Sequence, residues 1–265
     1  KKSLGQHWLN SPKALREMVE SADITSGDIV LEIGPGKGVL TRSLLAAATK
    51  VVAIEKDREC IAYLQEEFAI DIASGKLEII DGDVLKFDPS TLATYKKPYK
   101  LVANIPYYIT GAIIEQFLSA TYQPSCMVLL MQKEVAERIA VQGADKQSIL
   151  SIAVRVYGNP KIISKVPKGA FVPAPKVDSA ILAITNINRS FFADVDENLF
   201  FTVLKKTFGT KRKQLSGSLT PFFTNREDAE SALIHSGLDP KARPEELTLI
   251  QWKHVVQQIT KDSRA

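Results

Sequence analysis

Short apolar runs alternate along the first two thirds of the chain with segments whose apolar residues recur at helical spacing. The runs at 29–33, 51–54, 77–80, 100–103 and 127–131 are continuous rather than alternating, the mark of strands buried on both faces. Ser11-Pro12 ahead of Ala14, Leu15, Met18 and Val19 predicts an N-capped helix with proline in its first turn. Helical periodicity covers 39–48; Asp57 is set to cap a helix through Phe68, and Thr110 one through Leu118. This alternation predicts a mostly parallel sheet with helices on both faces. Two later strands, 162–165 and 179–185, have no helix of crossover length between them, so an antiparallel hairpin is expected at that edge.

The pattern changes after Thr185. Asn186-Ile187-Asn188-Arg189 reads as a linker, and beyond it the period is helical, with segments at 197–208, 226–236 and 245–259. The expected organisation is an α/β domain over 1–187 and a small helical domain over 188–265.

Composition narrows the class. With 45% hydrophobic and 24% charged residues the chain reads as an ordinary globular protein, and its longest apolar runs, such as 126–131, fall far short of a bilayer span. No membrane partner and no secretory signal are expected. Cys60 and Cys126 lie far apart in apolar periodic segments and read as buried small hydrophobes. His7, His235 and His254 lack metal-ligand spacing, so no metal site and a reducing, cytoplasmic setting are expected. A net charge of +4 permits a polyanionic partner without demanding one. Its distribution says more: Lys205, Lys206, Lys211, Arg212 and Lys213 cluster in a stretch without an acidic residue.

Candidate chemistry begins where the first strand ends. Glycines 34, 36 and 38 sit at a strand-to-helix turn, where glycine lets the backbone bend and a ligand come close. The spacing is Gly-x-Gly-x-Gly rather than the dinucleotide fingerprint Gly-x-Gly-x-x-Gly. Glu32 just before it is a poor neighbour for a pyrophosphate and suits a ligand with a cationic amino-acid tail. Glu55 ends the second strand, where an acid accepts ribose hydroxyls; nicotinamide and S-adenosylmethionine sites share that feature, so it points only to an adenosine-containing ligand. Asp83, after the third strand, is set to accept from an adenine amine. Each acid alone could be a solvated turn residue, but acids after successive strands fall where such sheets bind ligands.

Asn104-Ile105-Pro106-Tyr107 follows the fourth strand. Pro106 restricts Ile105 to extended geometry, which can turn carbonyls outward. The Asn104 oxygen and a loop carbonyl could together take both hydrogens of an adenine's exocyclic amine. That would aim its lone pair at a methyl donor, while Tyr107 offers a stacking face worth about 1–3 kcal/mol.

These residues belong to a wider set of blocks. They run through Leu4-Gly5-Gln6-His7-Trp8-Leu9, 32–41, Glu55, Asp83, 104–107, Gln132-Lys133-Glu134 with Arg138, 171–179, 208–213 and 243–247. In this order they resemble the ribosomal RNA adenine N6-dimethyltransferases, in the bacterial small-subunit (KsgA/RsmA-type) branch, over nearly the whole chain. The resemblance implies a Rossmann-like class I SAM-dependent methyltransferase domain followed by a small C-terminal all-helical, RNA-binding domain. It implies S-adenosyl-L-methionine as cofactor, contacted by His7, Leu9, Gly34, Glu55, Asp83 and Asn104. Asn104 would also meet the target, and Tyr107 and Phe171 would sandwich the target base as the remaining catalytic residues. The implied reaction is dimethylation of two adjacent adenines in the 3′-terminal hairpin of small-subunit ribosomal RNA. The implied partner is that RNA or an immature small ribosomal subunit, met by a monomer. Three features depart from the family pattern: His7 stands where asparagine is common, Trp8 where phenylalanine is, and 142–147 is unlike the glycine- and tyrosine-containing stretch usual there.

Rival readings are a large-subunit adenine methyltransferase of the macrolide-resistance type and a ribosome-assembly RNA-binding factor with secondary catalysis. The blocks at 4–9 and 171–179 favour the small-subunit branch over the first. The intact 104–107 motif and Asp83 speak against lost catalysis. A nicotinamide dehydrogenase fails on glycine spacing and on the lack of an obvious catalytic histidine.

Overall fold

The computed structural model describes residues 7–141, 147–210 and 213–262; Leu4, Gly5 and Gln6, the stretch 142–146, and Lys211 and Arg212 lie outside the described residues. Two compact units divide the chain. The first takes in the chain up to Glu137 with Gly158–Asn188, the second Arg138–Tyr157 with the chain from Arg189 onward. The expected single boundary at 187/188 differs from this division, because an excursion between β-strands adds its own helix to the second unit.

In the first unit, β1 (Trp8–Leu9) leads into α1 (Pro12–Ser21), then β2 (Ile29–Ile33), α2 (Val39–Ala47) and β3 (Lys50–Glu55). α3 (Arg58–Glu67), α4 (Ala69–Ala73), β4 (Leu77–Asp81), β5 (Tyr99–Asn104) and α5 (Thr110–Ser119) follow. β6 (Cys126–Gln132) runs into α6 (Lys133–Ile139); α7 (Ile149–Arg155) belongs to the second unit, and β7 (Asn159–Val166), β8 (Phe171–Val172) and β9 (Ser179–Thr185) complete the first.

Seven strands form one sheet in the order β4-β3-β2-β5-β6-β9-β7. Pairing is parallel from β4 to β6 and antiparallel on both sides of β9, as the missing crossover helix predicts. β2 is buried at every position, and β3 and β6 nearly so, because helices cover both faces. Fully buried Leu31, Leu101 and Leu129 each contribute about 1.5–3 kcal/mol of transfer free energy. A separate two-stranded ladder joins β1 to β8, pairing Trp8 with Val172 and Leu9 with Phe171.

Local signals account for the helix starts. Ser11 Oγ accepts from Ala14 N at 3.3 Å, and Asp57 Oδ1 accepts from Glu59 N at 2.9 Å. Thr110 does not cap α5: a 3₁₀ turn over Tyr107–Ile109 carries straight into the helix, leaving Thr110 as its first helical residue and its hydroxyl buried without a partner among the described residues.

The second unit is helical, with α8 (Glu197–Gly209), α9 (Leu215–Leu219), α10 (Arg226–His235) and α11 (Leu249–Asp262) around Phe200, Leu204, Leu219, Leu233 and Trp252. The expected helix from Glu245 starts later, because Thr248 Oγ1 accepts from Gln251 N at 3.3 Å and caps α11. No helix of the described residues is long and apolar enough to cross a membrane, and both cysteines are buried.

Candidate active site

β2 has β3 on one side and β5 on the other, so the chain leaves β2 in one direction and returns on its far side. Ligands in such sheets sit at this reversal, beyond the carboxyl ends of the strands. Two cavities open there. One, of about 120 Å³, is lined by His7, Trp8, Leu9, Glu32, Gly34, Glu55, Asn104, Tyr107 and Phe171 among others. The second, of about 240 Å³, includes Gly34, Glu55, Lys56, Asp83, Leu85 and Tyr108. Gly34, Glu55 and Pro106 belong to both, so the two are parts of one cleft.

Strand order sets the sequence of functional groups along the cleft. Asp83 follows β4, Glu55 ends β3, Glu32 and Gly34 end β2, and Asn104 ends β5; these strands are adjacent in that order. Four neighbouring strands span about 14 Å at the usual interstrand spacing.

The glycine loop keeps the cleft open. Gly34 adopts φ +65° with nothing within 4 Å of the point where a Cβ would stand. Its N–H donates to Ile54 O at 2.9 Å, which fixes the turn to β3. Gly36, at φ +57°, has the Trp8 indole lying on it: a Cβ there would come within 2.0 Å of Trp8 Cζ3.

Three carboxylates differ in electrostatics. Glu32 is 1% exposed, and its carboxyl is pushed up to about 8 by burial and by the charge of Glu55, against a hydrogen bond from Thr41 Oγ1 at 2.6 Å. Glu55 accepts from Gly36 N at 3.0 Å on Oε2 and from the Lys56 and Asp57 amides, both at 2.8 Å, on Oε1. The carboxylate is thereby oriented with acceptor capacity to spare. Asp83 accepts from Lys56 Nζ at 2.7 Å and from Leu85 N at 3.1 Å, contacts that hold its carboxyl below the usual range.

The donor set suits S-adenosylmethionine. Bound along this line, it would set its cationic amino-acid tail towards Glu32, where the added charge would favour loss of the proton that burial keeps on the carboxyl, its ribose diol towards Glu55 and its adenine amine towards Asp83. Gly34 would let the ligand pass without a side chain in its way.

Asn104 has its side chain at the cleft and donates from Nδ2 to His7 O at 3.4 Å. Tyr107 is half-buried, and its hydroxyl shares a 2.8 Å hydrogen bond with Ser179 Oγ. Burial pushes the Tyr107 phenol up, so it stays neutral. Phe171 lines the same cavity but is 3% exposed and packed in the core with Leu9 and Met18. Among the described residues, the ring stacked near Tyr107 is that of His7, with centroids 6.1 Å apart and planes at 23°. The structure thus brings His7, Leu9, Gly34, Glu55, Asn104, Tyr107 and Phe171 to one cavity and Asp83 to the adjoining one. Sequence reasoning did not find Lys56 at Asp83, Trp8 on Gly36 or Ser179 at Tyr107, contacts that local spacing does not encode.

Known proteins resemble this chain over nearly its whole length. A family model described as "Ribosomal RNA adenine dimethylase" matches residues 1–261. "Ribosomal RNA small subunit methyltransferase A" of Dehalococcoides mccartyi is 41% identical over 254 residues, covering 96% of this chain and 86% of that protein. The protein of the same name in Clostridium botulinum is 38% identical over 252 residues, 95% of this chain and 90% of its own. Among solved structures, a dimethyladenosine transferase from Plasmodium falciparum superposes with a TM-score of 0.83 at 27% identity, covering 97% of this chain and 98% of its own. The 23S rRNA methyltransferase ErmE superposes with a TM-score of 0.75 at 25% identity, covering 96% and 99%.

Proposed function

Because the chain belongs to the ribosomal RNA adenine dimethylase family, we propose that it dimethylates the N6 amine of adenines in small-subunit ribosomal RNA, using S-adenosylmethionine. The observation that carries this reading is the line of Asp83, Glu55, Glu32 and Asn104 across adjacent strand ends, which matches one cofactor lying beside one acceptor site. The target in this reading is the pair of adjacent adenines in the 3′-terminal hairpin, presented by an assembling small subunit in the cytoplasm to a single copy of the chain.

S-adenosylmethionine, when bound, supplies an electrophilic methyl group on its sulfonium. The work of the chain is positioning, a contribution that can reach about 7–11 kcal/mol. An adenine amine is a weak nucleophile because its lone pair is delocalised into the ring. Asn104 Oδ1 accepts one of its hydrogens and a loop carbonyl the other. The Pro106 carbonyl already takes the Ile109 N–H at 3.2 Å, which makes the Ile105 carbonyl the better second acceptor. In the first transfer both hydrogens are held and the lone pair is directed at the methyl group; the methylated nitrogen then gives up one hydrogen as a proton to water, which leaves a single hydrogen to be held in the second. Tyr107, fixed through Ser179, gives the extruded base a stacking face, and Phe171 supports the apolar wall of the same cavity. Transfer disperses positive charge rather than creating an oxyanion, so no oxyanion hole is called for.

Labelled methyl transfer to isolated small and large ribosomal subunits, with mapping of the modified bases, tests the proposal. Incorporation into adjacent adenines of the small subunit is expected. Preference for the large subunit, the behaviour named for ErmE, overturns it.

A further inference from the structure

The N-terminal segment is tied to the strand carrying Phe171. Asn10 N donates to Ala170 O at 2.7 Å, and Leu9 and Trp8 pair with Phe171 and Val172. His7 extends this pairing with its side chain: Nδ1 donates to Pro173 O at 2.8 Å. From that anchored position its backbone carbonyl receives the Asn104 amide, and its ring lies over Tyr107. One residue thus touches Asn104, Tyr107 and the loop after Phe171.

We infer that His7 is a positioning residue for methyl transfer, a staple that fixes which way the Asn104 carboxamide faces. An asparagine amide can sit in two orientations that exchange its oxygen and its NH₂. Only one presents an acceptor to the hydrogens of an adenine amine; the other sets donor against donor. A carbonyl at Nδ2 selects the orientation in which the NH₂ faces His7 and Oδ1 is turned away from it. The contact is 3.4 Å long, and contacts of this kind commonly tighten in a substrate complex. The imidazole bond to Pro173 keeps the carbonyl in place, so the side chain acts through the backbone. This role rests on the proposed function and adds to it: His7 serves the acceptor side of the cleft through Asn104.

Two substitutions separate the parts of the staple. His7→Phe keeps a ring over Tyr107 and removes the donor to Pro173. His7→Asn removes the ring but keeps a donor, because Asn Nδ2 and His Nδ1 are both attached to Cγ. The full-length protein is assayed for single-turnover methylation of small subunits, for S-adenosylmethionine affinity and for thermal melting. His7→Phe is expected to slow the single-turnover rate at saturating cofactor roughly ten- to a hundredfold, with RNA KM unchanged, and His7→Asn to stay within about threefold of the unaltered rate. An unaltered rate for His7→Phe at saturating cofactor overturns the role, as does a loss that saturating cofactor restores. A faster His7→Phe enzyme shows the imidazole to be a placeholder that the target base displaces, and a His7→Asn enzyme as slow as His7→Phe assigns the effect to the ring; either result overturns the staple. If the unaltered protein methylates no small subunits, the proposed function fails and the staple with it; normal transfer with an indifferent His7→Phe enzyme overturns the staple alone.

Discussion

Lys56 Nζ lies 2.7 Å from Asp83 Oδ2, so the acid proposed to meet a cofactor adenine is held in an ion pair within its own cavity. The hydrogen bond and charge of Asp83 in turn hold the Lys56 ammonium above its ordinary range. An adenine amine must share that oxygen with Lys56 or displace it. Asp83→Ala is expected to raise the dissociation constant for S-adenosylhomocysteine about tenfold, the effect of losing one hydrogen bond to a charged group. Lys56→Met frees the acceptor and is expected to leave affinity unchanged or modestly tighter. Calorimetric titration reads both; a tenfold loss for Lys56→Met would make the ammonium itself the ligand contact.

In the proposed mechanism Asn104 carries the acceptor that distinguishes amine methylation from mere cofactor binding. Asn104→Ala removes that acceptor, and the chain cannot replace it from β5, whose next side chain, Ile105, is apolar and buried. A loss in kcat of at least about a hundredfold is expected, with RNA affinity within a factor of about two because phosphate contacts dominate binding. Near-normal single-turnover methylation by this variant removes Asn104 from the mechanism.

Glu32 makes the protein's stability pH-dependent in an identifiable window. Its carboxyl is raised from 4.5 to about 8 by burial, so between those values the folded state holds a proton that the unfolded state has lost. Folding stability from this group is therefore fully present below pH 4.5 and falls as pH rises towards 8, with a limiting slope of about 1.4 kcal/mol per pH unit. Glu32→Gln keeps an acceptor for Thr41 and removes the titration. Urea unfolding at intervals from pH 5 to 8 is expected to show the variant gaining on the unaltered protein as pH rises. Parallel curves for the two proteins exclude a raised Glu32.

The parallel sheet was legible because β2, β3, β5 and β6 are buried on both faces and read as unbroken apolar runs. The acids and Asn104 were legible for a related reason: each closes or directly follows such a run, and strand ends in this topology converge. The ladder of β1 with β8 was not legible, since two residues per strand leave no periodicity and the partners are far apart in sequence. The contacts of His7 with Pro173 and of Tyr107 with Ser179 were hidden likewise, bridging 166 and 72 positions. The resemblance gave Phe171 as half of a base sandwich; its burial follows from strand alternation, which turns Phe171 inward and leaves Val172 58% exposed.

The basic stretch that begins in the last turns of α8 should be read through its salt dependence. Lys205, Lys206 and Lys213 are exposed among the described residues of that stretch. If they contact phosphates, each contributes to counterion release, at roughly 0.7–0.9 in the slope of log affinity against log salt. Replacing all three with glutamine is expected to flatten the slope for a small-subunit RNA hairpin by about 2, while cofactor affinity stays as it was. An unchanged slope assigns RNA binding to other residues.

The indole of Trp8 lies on Gly36, and a methyl group added there meets it directly. Gly36→Ala introduces two separable penalties: a Cβ within 2.0 Å of Trp8 Cζ3 and a side chain at φ +57°. The backbone penalty is about 1–2 kcal/mol and persists whatever residue occupies position 8. The steric penalty vanishes when the indole is removed. In a double-mutant cycle by urea unfolding, Gly36→Ala should therefore cost less in a Trp8→Ala background than in the unaltered protein, with a coupling of about 0.5–3 kcal/mol. Cofactor affinity provides the second readout. An indole pushed off Gly36 has the cavity it lines as its nearest space, so Gly36→Ala alone should weaken S-adenosylhomocysteine binding, and adding Trp8→Ala should restore part of it. Strictly additive stabilities would show that the loop rather than the ring gives way. The larger side chain at position 8 would then be no reason for glycine at 36.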